Sequence, residues 1–391
     1  MKSAHAQSPT PESNPFSAPR LRIAGVDPEL GFGGGETQVL GLTLALAAAG
    51  HDAELICDPA GRLWERAADA GIRRHPLRIR NAVDISAAIR LRGILKRERY
   101  DVVHFHTSRA HSMAPIVRGF APALFVTRRM DYRPNRIFAP YLFERAVDCV
   151  VAISGGVADS LAAAGVDRAR VTVVPSGVEC ERFRPPSADE RARARAKFGV
   201  GDGEIAIAAV GALEPRKGHR YLIEAVATLA QSGMALKCFI AGEGSIRAEL
   251  ERKITESGCA GRVAMLGRIE DTREILWAAD IFAMPSLNEG LGVAALEAMA
   301  SGLPTIASAV GGLREVVEHD LSGILVEPAC PDEIGSAIAW LEKSAELRTK
   351  MGAAARARVE DNYSMDSMAR RTLELYRAAL EKKCEARGSN K

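Results

Sequence analysis

The sequence lacks the features that mark membrane-spanning, disulfide-stabilised and structural-zinc proteins. No apolar run reaches the roughly 18 to 20 residues that a helix needs to cross a bilayer. The seven cysteines are scattered and contain no C-x-x-C pair, which favours a reduced cytosolic protein and argues against a zinc site. The formal net charge is only +3, and we expect no nucleic-acid partner.

The first residues also lack the apolar centre of a secretory signal. Residues 1–19 are rich in serine and proline, and we expect a disordered tail there. The longest apolar stretch, residues 40–50, is alanine-rich and follows a glycine loop, so it predicts a buried helix. These features favour a cytoplasmic protein.

Positive charge is concentrated in the first half of the chain. Residues 20–150 contain 20 Lys/Arg against 14 Asp/Glu, an excess of 6. Helical spacing brings several basic residues to one face, among them Arg90, Arg92, Lys96, Arg97 and Arg99. The pattern indicates either an ordinary solvated face or an attraction to anionic lipid head groups or an anionic acceptor, which would bring the protein to the inner face of the membrane.

Short apolar segments alternate with longer helical patterns throughout the chain. This alternation predicts an α/β fold with two Rossmann-like domains, whose parallel sheets face each other across a cleft. We expect a first domain at 20–182, a linker at 183–199 that leads into a short helix, and a second domain at 200–365. The predicted strands are Leu21–Val26, Ala53–Cys57, Val102–His106, Leu124–Thr127, Cys149–Ile153, Val171–Val174, Ile205–Val210, Leu236–Ala241, Val263–Leu266, Ile281–Met284, Thr305–Ala307 and Ile324–Val326.

Open parallel sheets bind ligands beyond the carboxyl ends of their strands, and the first such loop reads GFGGGE. Backbone N–H groups at Gly34 and Gly35 can approach a phosphate at a helix N-terminus. Glu36 stands where the dinucleotide fingerprint has its last glycine, and its carboxylate would repel a pyrophosphate. An NAD enzyme with Asp58 on the ribose, and a tight turn without ligand, remain alternatives.

The most specific segment is PSLNEGLGVAALEAMASGLPT in the second half. Gly290, Leu291, Gly292 and Val293 open a helix whose N-terminus suits a diphosphate. Carboxylates are poor phosphate ligands but good acceptors for hydroxyl protons. We therefore expect Glu297 to bind a ribose diol and Glu289 to bind the hydroxyls of a donor sugar.

Several segments together resemble the retaining GT-B glycosyltransferases of family 4, over nearly the whole chain after the tail. The resemblance implies a GT-B fold, a nucleoside diphosphate sugar as donor, transfer with retention of configuration, and a terminal segment at 366–391 that crosses back to the first domain. Beside the segment with Glu289 and Glu297, the matching segments are GGGE at 33–36, DVVHFH at 101–106, VVAISGGV at 150–157, VVPSGVE at 173–179, VGALEPRKGH at 210–219, AGEG at 241–244 and LGRIED at 266–271.

The resemblance also implies roles for single residues. Lys217, with Arg216, would neutralise the donor diphosphate, which fits the charge that grows on a leaving phosphate. Gly267, Arg268 and Ile269 would lie beside the nucleobase.

The sequence departs from the family pattern at three positions. Ala212 stands where an arginine is common, and Ser176 where asparagine is usual. Arg129 aligns with a histidine near the transferred sugar, and its guanidinium suits a carboxylate or phosphate on the acceptor or donor sugar. Asp131 and His106 complete the expected acceptor side.

The sequence thus predicts a glycosyltransferase that moves a sugar from a UDP- or GDP-linked donor to a glycan or lipid-linked acceptor, in cell-surface polysaccharide or lipopolysaccharide synthesis. It contains no D-x-D motif to hold a divalent metal, and we expect neither metal nor cofactor. A sugar-nucleotide epimerase or hydrolase on the same fold, and a non-catalytic sugar-nucleotide binding protein, remain alternatives.

Overall fold

The computed structural model describes residues 19–130, 134–137 and 139–388. Nearly the whole tail predicted at 1–19 therefore lies outside the described residues. Within them the chain forms two parallel sheets, one in each half, as the alternation of segments predicted.

The first sheet has the strand order β3-β2-β1-β4-β5-β6-β7, and all its neighbouring strands are parallel. Six of its strands match the predicted segments to within two residues at each end. The short edge strand β3 was missed, because its sequence RHP has no apolar pattern. The strands are β1 (Arg22–Asp27), β2 (Asp52–Cys57), β3 (Arg74–Pro76), β4 (Val102–Phe105), β5 (Ala123–Arg128), β6 (Cys149–Ala152) and β7 (Val171–Val173).

The second sheet has the strand order β10-β9-β8-β11-β12-β13 and is parallel throughout. All six of its strands were predicted. They are β8 (Ile205–Val210), β9 (Leu236–Ala241), β10 (Val263–Gly267), β11 (Ile281–Met284), β12 (Thr305–Ser308) and β13 (Gly323–Val326).

Helices connect the strands and cover the sheets. They are α1 (Gly34–Ala48), α2 (Arg62–Asp69), α3 (Ile85–Glu98), α4 (Ser108–His111), α5 (Ala114–Val117), α6 (Gly155–Ala163), α7 (Ala188–Lys197), α8 (His219–Gln231), α9 (Arg247–Glu256), α10 (Arg273–Ala278), α11 (Val293–Ala300), α12 (Leu313–Val316), α13 (Pro331–Glu342), α14 (Ala345–Asn362) and α15 (Met365–Gly388).

The charged segment between the halves begins its helix with a capping box. In α7 the Ser187 hydroxyl accepts from the Glu190 amide, and the Glu190 carboxylate accepts from the Ser187 amide. Arg195 then binds Asp280 at 2.9 Å, at the start of β11. The helix inside the predicted linker is therefore attached to the second half.

The chain passes between the halves twice, and the two crossings contact each other. The amide of Val178 donates to the Tyr363 carbonyl at 2.8 Å, and the amide of Met365 donates to the Val178 carbonyl at 2.9 Å. A Cβ on Gly177 would lie 2.7 Å from the Met365 Cα, so this approach requires glycine. The side chain of Gln38 on α1 binds both the amide and the carbonyl of Gly177, at 2.9 and 2.7 Å.

The terminal helix α15 packs on α1 and on one face of the first sheet. Tyr376 is almost completely buried there, with its ring 4.8 Å from that of Phe125. A hydrogen bond of 2.6 Å joins the Tyr376 hydroxyl to His104 Nδ1 on β4. The last helix is thus part of the core of the first half. No described helix is both long enough and apolar enough to cross a membrane.

Replacing Tyr376 with alanine tests this packing. Tyr376→Ala should lower the free energy of unfolding by about 3 to 5 kcal/mol, because it opens a cavity and leaves a buried histidine nitrogen without a partner. Denaturant unfolding followed by circular dichroism measures the change. Tyr141, which is 55% exposed, gives a matched control, and Tyr141→Ala should stay within about 0.5 kcal/mol of wild type. Equal losses in the two variants would contradict the assignment.

Candidate active site

A cavity of about 610 Å³ lies where the carboxyl ends of the two sheets face each other. Residues of both halves line it, as the strand topology requires. It brings together most of the predicted site residues: Gly34, Gly35, Arg129, Arg216, Lys217, Glu289, Gly290, Leu291, Gly292, Val293 and Glu297.

The N-terminus of α11 opens into this cavity. Gly292 precedes the helix with φ +95°, a left-handed conformation that favours glycine. The first helical hydrogen bonds run from Ala295 and Leu296 to the Gly292 carbonyl. The amides of Val293 and Ala294 therefore precede the hydrogen-bonded turn, and both residues line the cavity. This is a suitable site for an anion.

Lys217 and Glu289 form an ion pair in the cavity wall, and each side chain is 12% exposed. Lys217 ends a short 3-10 turn, and the next residue, Gly218, has φ +65°. A Cβ on Gly218 would lie 1.9 Å from the Pro285 carbonyl oxygen, so glycine lets this turn approach the end of β11. The Ser286 hydroxyl donates to the Glu289 carboxylate at 3.4 Å. A lysine and a glutamate 72 residues apart thus meet at one point.

Arg216 lines the same cavity but is more exposed. Its Nε donates to Glu214 at 2.7 Å, and its side chain is 42% exposed. Ala212, where the family pattern has arginine, also lines the cavity. Arg216 therefore supplies a second positive charge in the cavity that has Ala212 in place of the expected arginine.

Glu297 lies between the main cavity and a second one of about 240 Å³. Arg268 and Ile269 line the second cavity, whereas Gly267 lines neither and ends β10 with φ +71°. Burial raises the pKa of Glu297 to about 7. Arg182 opposes the shift, and nearby carboxylates add to it. This carboxyl is near its midpoint of ionisation at neutral pH.

Arg129 is the cation that the first half contributes to the cavity lining. Its Nη1 donates to the hydroxyl of buried Ser176 at 3.3 Å, and its Nε has no hydrogen-bond partner. Burial lowers the pKa of Arg129 to about 10, so the guanidinium is still charged at neutral pH. Asp131, expected beside it, lies outside the described residues.

His106 is buried and is not among the residues that line the main cavity. Its ring lies 4.2 Å from that of His104, as expected for alternate residues of one strand. Burial holds the pKa of both histidines well below the usual value, so both are neutral. Nearby Asp27, at the end of β1, is also buried, and burial raises its pKa to about 7.

Several lining residues were not predicted. Thr37 and Gln38 follow the glycine loop by one turn of α1, so helical spacing was a usable signal for them. Met130 and Asn288 adjoin the predicted residues Arg129 and Glu289. Three others carry no local signal, because long-range folding brings them to the second cavity: Glu179, Arg182 and Thr272.

One cluster of the described residues combines potential metal ligands, and it lies outside both cavities. It consists of Glu54, His75 and Glu98, all buried. Arg73 binds both carboxylates, at 2.9 and 3.0 Å, and the Glu54 carboxylate also contacts His75 at 2.8 Å. The carboxylates are already neutralised by protein groups, so this cluster is an ion-pair network.

Comparisons with known proteins agree with this architecture. The family described as Glycosyl transferases group 1 matches residues 190–358, and Glycosyltransferase Family 4 matches residues 32–182. An uncharacterised glycosyltransferase of Methanocaldococcus jannaschii is 30% identical over 305 residues, which cover 74% of this chain and 78% of that protein. A lipopolysaccharide core biosynthesis glycosyltransferase of Rhizobium meliloti is 29% identical over 321 residues, covering 82% and 88%.

Among solved structures, the fold is similar to that of HepE from Anabaena, determined with UDP and glucose. The TM-score is 0.82 at 20% identity, over 92% of this chain and 100% of that one. At this identity the likeness shows the fold alone. This family assignment overturns the alternative, drawn from the glycine loop, that the protein is an NAD enzyme. The chain belongs to the glycosyltransferases of group 1 and family 4, and it is a transferase with the GT-B fold.

Proposed function

We propose that this protein transfers a sugar, with retention of configuration and without a divalent metal, from a UDP- or GDP-linked donor to a hydroxyl of a glycan or lipid-linked acceptor. One observation carries the proposal. A lysine, a helix N-terminus and two carboxylates line one cavity at the carboxyl ends of both sheets.

The donor fits this cavity in a definite direction. The diphosphate would bind between Lys217, Arg216 and the amides at the start of α11, with Gly34 and Gly35 on the opposite wall. The ribose would bind Glu297, and the nucleobase would enter the second cavity beside Arg268, Ile269 and Thr272. The sugar then lies at the Glu289 end. UDP bound to the solved relative HepE supports a nucleotide donor.

Retention is implied by the family resemblance, and the carboxylates available support it. Among the described residues that line the main cavity these are Glu289, which is paired with Lys217, and Glu297, which faces the second cavity. We therefore assign neither as an inverting base or a nucleophile. In the proposed step the acceptor oxygen bonds to the anomeric carbon on the face from which the phosphate leaves. The bond from that carbon to the phosphate oxygen breaks, and the phosphate takes the acceptor proton. Lys217 stabilises the charge that develops.

An exposed face of α3 and the preceding loop suits a lipid-linked acceptor. Val83, Ile85 and Ile89 are 77%, 72% and 63% exposed. Exposed Arg90 and Lys96 lie on the same helix. Apolar side chains among basic ones favour the surface of an anionic membrane. The Rhizobium relative in lipopolysaccharide core synthesis supports a cell-surface role.

A thermal-shift screen of nucleotide sugars tests the proposal. A donor present at one hundred times its Kd should add about 2.7 kcal/mol of stability. Nucleotide release without any added acceptor would favour the epimerase or hydrolase. Binding without turnover of any acceptor would favour a non-catalytic binding protein.

Loss of the lysine tests the leaving-group assignment. Lys217→Ala should lower the transfer rate by about a hundredfold to a thousandfold, because the developing phosphate charge loses its cation. Product formation at saturating donor measures this. Wild type should keep its activity in chelator, since its own cations supply the charge stabilisation.

The matched control is Lys253→Ala. That lysine is paired with Glu224 and lies outside the cavity, so its loss should leave transfer unchanged. Activity that vanishes in chelator and returns with magnesium or manganese would show that the metal-free mechanism is wrong.

The raised pKa of Glu297 predicts a pH dependence of donor binding. The ionised carboxylate accepts both ribose hydroxyl protons, and with a pKa of about 7 it is lost as the pH falls. Affinity for the donor should therefore fall about tenfold between about pH 8 and about pH 6. Calorimetry at each pH measures it. Glu297→Gln should bind weakly with a flat profile; an unchanged slope in this variant would assign the titration to another group, such as Asp27.

Vesicle binding tests the proposed membrane face. The protein should sediment with vesicles that contain phosphatidylglycerol, more weakly at high salt, and not with phosphatidylcholine alone. The double variant Ile85→Asp, Ile89→Asp should weaken binding by about tenfold or more. Leu321, which is 50% exposed in the second half, provides the control Leu321→Asp. Equal binding by all variants would exclude this face.

A further inference from the structure

The three cations that line the main cavity differ in their counter-ions. Lys217 is paired with Glu289, and Arg216 with Glu214. Arg129 has no carboxylate within ion-pair distance among the described residues. Among the described residues, its Nη1 donates a hydrogen bond to the Ser176 hydroxyl at 3.3 Å, and its Nε donates none. The Arg129 guanidinium has five N–H donors, and most of them make no hydrogen bond to the described residues.

Among the described residues, the acidic groups that act on Arg129 do not supply the missing charge. Asp27 and Glu36 act on Arg129 through space, without a hydrogen bond. Burial raises the pKa of Asp27 to about 7, so this group is only partly ionised at neutral pH. The Glu36 carboxylate accepts from the Gly33 amide at 2.7 Å. A half-buried cation without a carboxylate partner is costly, and an anionic ligand would remove that cost.

Two departures from the family pattern meet at this contact. The family resemblance places Arg129 where a histidine is expected and Ser176, 47 residues away, where an asparagine is expected. The hydroxyl of Ser176 is small and buried, and it binds one arm of the guanidinium. The Ser176 hydroxyl thus orients the arginine, and Arg129 lines the cavity.

The position of Arg129 corresponds to the sugar end of the proposed donor site. A Cβ on Gly290 would lie 2.5 Å from the Arg129 carbonyl oxygen, so the two residues touch across the cleft. The Arg129 Cδ lies 3.9 Å from the Cβ position of Gly35. The nucleobase end of the site, at Arg268 and Ile269, belongs to the second cavity, which Arg129 does not line.

We infer that Arg129 binds an oxyanion, a carboxylate or a phosphate, carried by the sugar being transferred or by the acceptor at the point of transfer. The inference rests on the proposed function, which places a nucleotide sugar in this cavity. The guanidinium would bind the oxyanion through two parallel hydrogen bonds, which lysine cannot reproduce.

Two binding experiments on the full chain separate the sources. In the first, calorimetry compares UDP, UDP-glucose and UDP-glucuronate, or the GDP, GDP-mannose and GDP-mannuronate set if the screen selects GDP. In the second, the protein saturated with the nucleoside diphosphate is titrated with glucose, glucuronate and glucose 6-phosphate. Wild type should prefer the anionic member by about tenfold or more in one experiment. A preference in the first experiment would place the anionic group on the donor sugar, and a preference in the second would place it on the acceptor.

Variants assign the preference to Arg129. Arg129→Gln should abolish it, and Arg129→Lys should restore only part of it, because the charge returns without the fork. Both should bind the nucleoside diphosphate alone like wild type, which also shows that they are folded. Arg136→Gln, at an exposed arginine of the same segment, should keep the preference.

Three results would overturn the inference. The first is the absence of any anionic preference in wild type, in both experiments. The second is a preference that Arg129→Gln keeps. The third is an equal loss of nucleoside diphosphate affinity in both Arg129 variants, which would place the arginine on the donor diphosphate. Failure of wild type to bind any nucleotide or nucleotide sugar would instead remove the proposed function, so the two failures are distinguishable.

Discussion

The contact between the two chain crossings is the constraint on which the cavity depends. Val178 accepts from Met365 and donates to the Tyr363 carbonyl, so the exit from the first half is bonded to the return from the second. Gln38 then binds both polar groups of Gly177, which ties α1 to the same point. These bonds fix the glycine turn at the start of α1 relative to the strand ends of the second sheet. A site built from both halves needs such a fixed junction, because each sheet alone offers only one wall.

The charged and polar groups of the cleft form two sets, one compensated within the protein and one not. Lys217 and Glu289 compensate each other in a wall that is mostly closed to solvent. The amides of α11 and the guanidinium of Arg129 have no such compensation. A pair of buried charges is stable only while both partners remain, so the lysine can move to an incoming phosphate if the glutamate receives hydroxyl donors at the same time. A sugar joined to a diphosphate supplies both groups in one molecule.

The sequence was informative where the signal is local. Continuous apolar runs between helical patterns predicted twelve strands, because strands buried on both faces need apolar side chains at nearly every position. The edge strand β3 has no such requirement and was missed. The glycines at 290 and 292 were recognised because a tight turn before a helix limits the residues allowed. By contrast, the bond between Arg129 and Ser176, and the burial of His104 under Tyr376, join residues 47 and 272 positions apart. No local pattern encodes such contacts, so the sequence indicated Arg129 and Ser176 without indicating that they bind each other.

The two glutamates of the α11 segment have the same side chain but different surroundings, and the surroundings give them different properties. Glu289 precedes the helix and has a lysine at its side. Glu297, two turns later, is half-buried near Asp271 and Glu179, and its burial raises its pKa to about 7. A carboxylate among like charges needs hydroxyl donors to favour its ionised form. In the proposed donor site, nucleoside binding at Glu297 would therefore be coupled to proton release, and sugar binding at Glu289 to the position of Lys217. The same residue type would thus make one end of that site responsive to pH and the other to phosphate charge.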